Sequence, residues 1–122
     1  MTDNLGATFA KIMADKDHQA LRSLLHEEID FRAMTPNRIW EAAGPEDVVS
    51  AAQTWFDPDD EIESVEQVET GRFADRERVG YRFLVRNAEG LHVVEQQAYL
   101  TERDGQIGWL RVICSGYRPI AG

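Results

Sequence analysis

Apolar residues recur at helical spacing in the first half of the chain and alternate with polar ones through much of the second. Leu5, Phe9, Ile12 and Met13 fall on one helical face, with Thr2 or Asp3 as the N-cap. Ala20, Leu21, Leu24 and Leu25 form a second apolar set after the polar break Asp15-Lys16-Asp17. The spacing predicts two short helices that meet at that break. Ile29, Phe31 and Ala33 alternate with Asp30 and Arg32, which predicts a short strand. Thr35-Pro36-Asn37 turns the chain, and Arg38 to Ala43 reads as a second short strand carrying Trp40. Gly44-Pro45-Glu46-Asp47 is a helix start, because proline suits the first helical position and carboxylates suit the positive end of the helix dipole. Val48, Val49, Ala52, Trp55 and Phe56 make that helix's apolar face, and Asp57-Pro58-Asp59-Asp60 ends it.

Four strands follow, near 61–73, 77–87, 91–102 and 106–117, with tight turns at Asn87-Ala88-Glu89-Gly90 and Arg103-Asp104-Gly105 separating the last three. Their alternation is incomplete: Val79, Tyr81, Phe83 and Val85 share one face, yet apolar residues fill much of the other face too. A sheet with two partly apolar faces needs two covers. Helices supply one, and a second subunit is the economical choice for the other.

At 122 residues the chain reads as one domain, 1–122, without repeats or linkers. Its 22 acidic side chains against 13 basic ones give a net charge of −9, which disfavours nucleic acid and anionic membrane surfaces as partners. The first residues lack the basic and apolar blocks of a signal peptide, and no apolar run approaches the roughly 20 residues of a membrane span. Cys114 is the only cysteine, so no internal disulfide forms and a cytoplasmic location is expected. A buried structural thiol and a reactive one are the two readings of Cys114.

The order helix, helix, short strands, helix and long meander resembles the NTF2-like superfamily, in its SnoaL-like and ketosteroid-isomerase-like branch. The stretches that carry the resemblance are Phe31-Arg32-Ala33-Met34-Thr35-Pro36, Trp40 with Gly44-Pro45-Glu46, Gly80-Tyr81-Arg82-Phe83, Glu95-Gln96-Gln97-Ala98-Tyr99, and Asp104-Gly105-Gln106-Ile107 through Cys114-Ser115-Gly116. The resemblance implies an α+β cone, a curved antiparallel sheet wrapped around about three N-terminal helices. It also implies an apolar cavity between them and frequent dimerisation through the sheet. It does not fix function, since one fold hosts many chemistries.

Strand register decides which face lines the cavity. A four-residue loop at Asn87–Gly90 puts Arg86 opposite Leu91 and Arg82 opposite Glu95, a favourable cross-strand charge pair. With that register the inward face is expected to carry Gly80, Arg82, Leu84, Val93, Glu95, Gln97, Tyr99, Leu110, Val112 and Cys114. Tyr81, Phe83, Gln96, Trp109, Arg111 and Ile113 are then expected outside, as a subunit contact.

Aligned with the steroid isomerases, this chain places Ala33, Phe9 and Gln97 where those enzymes carry a carboxylate base and two hydrogen-bond donors to an enolate oxygen. Ala33 and Phe9 cannot do those jobs, so that chemistry is not expected; Gln97 can still donate. The remaining candidates are Glu95 as general base or acid, with Arg82, Gln97 and Tyr99 around it and Trp40, Trp55 and Cys114 lining the cavity. The competing reading of Arg82 and Glu95 is a satisfied ion pair. His18, His26 and His92 have no metal-ligand spacing, and Asp57 to Glu61 lacks the glycine and glutamate of a calcium loop, so no metal is expected. No phosphate-cradling glycine loop or serine–histidine pair is legible. The expected function is binding of a small apolar organic molecule by a homodimer. A cofactor-free isomerase, cyclase or hydrolase-type step is its catalytic version, and a non-catalytic ligand-binding or interaction module is the alternative.

Overall fold

The computed structural model describes residues 4–120. Three helices, α1 (Leu5–Asp15), α2 (His18–Leu24) and α3 (Pro45–Trp55), cover one face of a curved sheet. The strands are β1 (Leu25–Thr35), β2 (Arg38–Ala43), β3 (Glu61–Phe73), β4 (Arg76–Asn87), β5 (Gly90–Arg103), β6 (Gln106–Cys114) and the two-residue β7 (Arg118–Pro119). They lie in the order β2-β1-β6-β5-β4-β3, with β7 against the start of β5. The expected all-antiparallel sheet is corrected at one seam: β1 runs parallel to β6. Side-chain alternation carries no strand direction, so the sequence pattern is silent on this point.

Local chemistry starts and stops the helices. Thr2 and Asp3 lie outside the described residues; Asn4 caps α1, its side-chain oxygen accepting from the Ala7 amide at 2.9 Å. Lys16 ends α1 in the left-handed conformation, and Asp17 caps α2 by accepting from the Ala20 amide at 3.0 Å. Pro45 with Glu46 and Asp47 opens α3 as expected. The Lys16 ammonium then donates to the Asp57 and Asp60 carbonyls, tying the end of α1 to the turn that stops α3.

The core lies between helices and sheet. Phe9 and Met13 of α1, Leu21 of α2, and Val48, Ala52 and Trp55 of α3 pack on Phe31, Val79, Tyr81, Phe83, Val94, Ala98, Leu100 and Leu110 of the strands. Phe9 meets Tyr81 at 6.3 Å between ring centroids, and Phe56 meets Phe83 at 5.7 Å.

The predicted register is the observed one: Arg86 pairs with Leu91 and Arg82 with Glu95. The predicted facing is reversed for β4 and β5. Tyr81, Phe83 and Gln96 point to the helices and are almost fully buried, whereas Arg82, Leu84, Val93, Glu95, Gln97 and Tyr99 lie on the opposite, outer face. Gly80 belongs to that face too, with the Gln97 side chain lying across it. The reason is the β5–β6 pairing, which sets Gln96 opposite Cys114 and Ala98 opposite Val112. Leu110, Val112 and Cys114 do face inward, as expected, but beside the even-numbered residues of β5. Trp109, Arg111 and Ile113 take the outer face, also as expected.

Candidate functional site

One row across the inner face of the sheet is polar. Tyr81 pairs with Gln96, and Gln96 with Cys114. Met34 pairs with Ile113, so Thr35 is the next residue along β1 beside Cys114. The neighbouring row, Val79–Ala98–Val112–Ala33–Trp40, is built largely from small side chains. Alternation within each strand forces both rows inward.

Burial is graded along the polar row. Tyr81 and Gln96 are 3% and 1% exposed, whereas Cys114 and Thr35 are half-buried. Exposure along the row therefore rises from β4 toward β1. Aromatic side chains cluster around Trp55 at the end of α3. Trp55 meets Trp40 edge-on at 5.9 Å and Phe31 at 6.1 Å. Tyr117, which follows β6, packs on Phe56 at 6.2 Å and places its hydroxyl 2.6 Å from the Trp55 carbonyl.

Hydrogen bonding in this row is incomplete. The Tyr81 hydroxyl donates to Gln96 Oε1 at 2.5 Å, and Trp40 Nε1 donates to Thr35 Oγ1 at 2.8 Å. Gln96 Nε2 and Trp55 Nε1 are both buried and have no acceptor among the described residues. A buried donor left unpaired costs about 1–3 kcal/mol, so two of them mark a place that departs from ordinary core packing. Burial, and secondarily Cys114, holds the Tyr81 phenol well above its ordinary value, so at neutral pH the row carries no tyrosinate.

Of the residues expected to line a site, Trp40 and Trp55 meet here, and Cys114 lies on the same face opposite Gln96. Ala33 and Phe9 are also inside. Arg82, Glu95, Gln97 and Tyr99 are not. On the outer face the Arg82 guanidinium donates to Glu95 Oε2 at 3.0 and 3.2 Å, and Arg118 stands 3.6 Å from the other carboxylate oxygen. Gln97 accepts from Arg78 at 3.0 Å. The apolar wall expected around Glu95 is thus an open surface with two guanidinium groups. Sequence reasoning missed Tyr81, Gln96, Thr35 and Tyr117; the signal for Gln96 was its place opposite Tyr81 in a register already in hand.

The outer face also holds an open depression of about 390 Å³ bounded by Arg32, Met34, Ile39, Glu41, Arg111 and Ile113. Met34, Ile39 and Ile113 are 54%, 69% and 52% exposed. Trp109 lies near it between the guanidinium groups of Arg76 and Arg111, at 4.1 and 4.5 Å.

No family profile and no curated protein matches the chain. Solved structures do. A candidate isomerase from Rhodopseudomonas palustris superposes with a TM-score of 0.75 over 95% of this chain and 93% of its own, at 14% identity. A candidate polyketide cyclase from Xanthomonas campestris gives 0.70 over 89% and 86%, at 16% identity. An NTF2-like protein of unknown function from Mesorhizobium loti gives 0.64 over 92% and 88%, at 22% identity. The chain has the NTF2-like fold. Within an NTF2-like domain the inner row lies between sheet and helices, and the arginine-rich surface lies on the sheet's far side. Among the described residues, no helix is long and apolar enough to cross a membrane.

Proposed function

We propose that this NTF2-like domain binds a small, mostly apolar organic molecule at the inner row, beneath Trp40, Trp55 and Tyr117. The observation that carries this reading is Gln96, a side chain 1% exposed whose amide nitrogen has no acceptor. Small side chains at Ala33 and Ala98 beside it and aromatic rings above it suit a flat, greasy partner. Isomerase and cyclase descriptions recur among proteins of this fold, and the same cofactor-free class of step is the catalytic version of the reading. The row itself holds no carboxylate, which supports binding ahead of proton-transfer catalysis. Native mass spectrometry of the purified protein is the test. An organic adduct that leaves on denaturation is expected. A bare-chain mass, together with unmoved Gln96 and Trp55 amide signals across a fragment library, sinks the reading.

A second reading is favoured by the outer face: a homodimer formed through the sheet. Contiguous exposed Met34, Ile39 and Ile113, rimmed by arginine and tryptophan, have the composition of an interface centre. Arg82, Glu95, Gln97 and Tyr99 then serve association. Ile113→Glu is expected to convert a dimer to a monomer in sedimentation velocity, with its melting temperature little changed. A wild-type monomer at high micromolar concentration, or a variant that stays dimeric, defeats it.

A further inference from the structure

We infer that the outer face of the sheet docks a short acidic helix of another protein, its carboxylates on a row of arginines and its apolar side chains on the depression beside that row. The inner row takes no part in this, and the segment competes with a second copy of the chain for one surface. Register fixes the row. Arg78 pairs with Tyr99, Tyr99 with Arg111, Arg111 with Arg32 and Arg32 with Glu41. Three guanidinium groups and a tyrosine therefore lie side by side across β4, β5, β6 and β1. Like charges directly opposite one another are unfavourable, yet Arg32 faces Arg111 across the ladder. Carboxylates hold these two in place: Glu41 stands 3.4 Å from Arg32, and Asp30 3.1 Å from Arg111. Arg78 donates to the neutral Gln97, and Arg76 adds a fourth guanidinium 4.1 Å from the Trp109 ring centroid. Arg32, Arg76, Arg78 and Arg111 thus outnumber Asp30 and Glu41 here, within a chain of net charge −9.

The next row along the strands is apolar. Ile113 pairs with Met34 and Met34 with Ile39, and all three are exposed around the open depression. An open depression leaves a small molecule in water on most sides. A helix laid across the strands covers the depression and the arginine row together. From β4 to β2 is four strand spacings, roughly 19 Å, the length of about 13 helical residues. Such a helix sets apolar side chains on Ile113, Met34 and Ile39 and carboxylates along one flank. The planar guanidinium forks match those carboxylates in pairs. Nucleic acid fits less well. The Trp109 ring already carries two guanidinium groups in place of a stacked base. A long polyanion also runs past the patch onto β3, where Glu61, Glu63, Glu66 and Glu69 repel it. A short segment ends before that strand, and screening over about 8 Å at physiological salt hides the remaining acidic surface.

The test titrates synthetic helical peptides of that length into the ¹⁵N-labelled chain. One has glutamates flanking a leucine face; one twin carries lysine for glutamate, and another alanine for leucine. A thymidine oligonucleotide is the fourth probe. The acidic leucine peptide is expected to bind at least about tenfold more tightly than either twin, and less tightly as salt rises. It should shift the Trp109 indole signal and the amides of β1 and β6. In sedimentation velocity it should give a complex of one chain and one peptide. Arg32→Glu combined with Arg78→Glu should reverse the order, so that the lysine peptide binds better than the acidic one. That gain of binding can come only from a folded variant. Equal binding of the acidic and lysine peptides, or a preference for the oligonucleotide, overturns the inference. So do shifts confined to residues off the outer face, no shift with any probe, or a dimer of the chain that the acidic peptide does not separate.

Discussion

A carboxylate in the interior needs its oxygens occupied, and Asp60 has both taken. Asn87 Nδ2 donates to one at 3.0 Å; the Asp57 amide, at 3.2 Å, and the Tyr117 hydroxyl, at 2.9 Å, reach the other. Tyr117→Phe is expected to cost about 1–3 kcal/mol, measured by urea unfolding, because it strips a donor from a buried charge. A loss within the noise of the wild type would show Asp60 to be served by solvent. Burial also raises the phenol of Tyr117, with its hydrogen bond to Asp60 as the next cause, and burial raises Tyr81 in the same direction. Above the ordinary tyrosine value near 10 the unfolded chain sheds protons that the folded chain keeps, so stability falls as pH rises past that point. Thermal melts between pH 8 and 11 should show this fall, and it should be shallower in Tyr117→Phe. Gly116 is a third sensitive position. It sits at φ +79°, and a Cβ there would stand 2.6 Å from Pro36 Cγ. Gly116→Ala should therefore cost upwards of about 1–2 kcal/mol.

Caps and turns carry the elements, and their effects are smaller. Asn4→Ala removes the side-chain acceptor for the Ala7 amide and should cost about 1 kcal/mol of helix stability. The Arg82–Glu95 pair is 43% and 37% exposed at its side chains, so a double-mutant cycle should return no more than about 1 kcal/mol. Its value to the reader of the sequence was greater than its value to the fold. Opposite charges fixed the β4–β5 register correctly, and helical spacing located all three helices, with Gly44-Pro45 marking the start of the third. Neither signal says which face of a strand meets the helices. Leu84 and Val93 make the outer face apolar enough to mimic an inner one, so Arg82, Glu95, Gln97 and Tyr99 were expected inside. Trp40, Trp55 and Cys114 were expected inside and do lie on the helix-facing side of the sheet. Gln96 stayed hidden because it sits in the polar run Glu95-Gln96-Gln97, where alternation singles out neither face.

For the molecule as a whole, the two faces of the sheet divide the work. The inner one joins the helices into a single core, and the outer one concentrates arginines in a chain of net charge −9. Association through that surface should weaken with added salt if its ion pairs contribute, which sedimentation at low and high ionic strength will show. The seam between β1 and β6 has a different consequence. Phe31 waits for Leu110, a partner far downstream in the chain. While the chain is still leaving the ribosome, the β3–β5 meander can zip up from neighbouring residues, but the first two strands have only each other until β6 emerges. Docking of the amino-terminal third should be the late, slow event of maturation, since closing so long a loop is what retards folding. A nascent chain stalled before residue 106 should leave β1 and β2 open to protease while the meander resists.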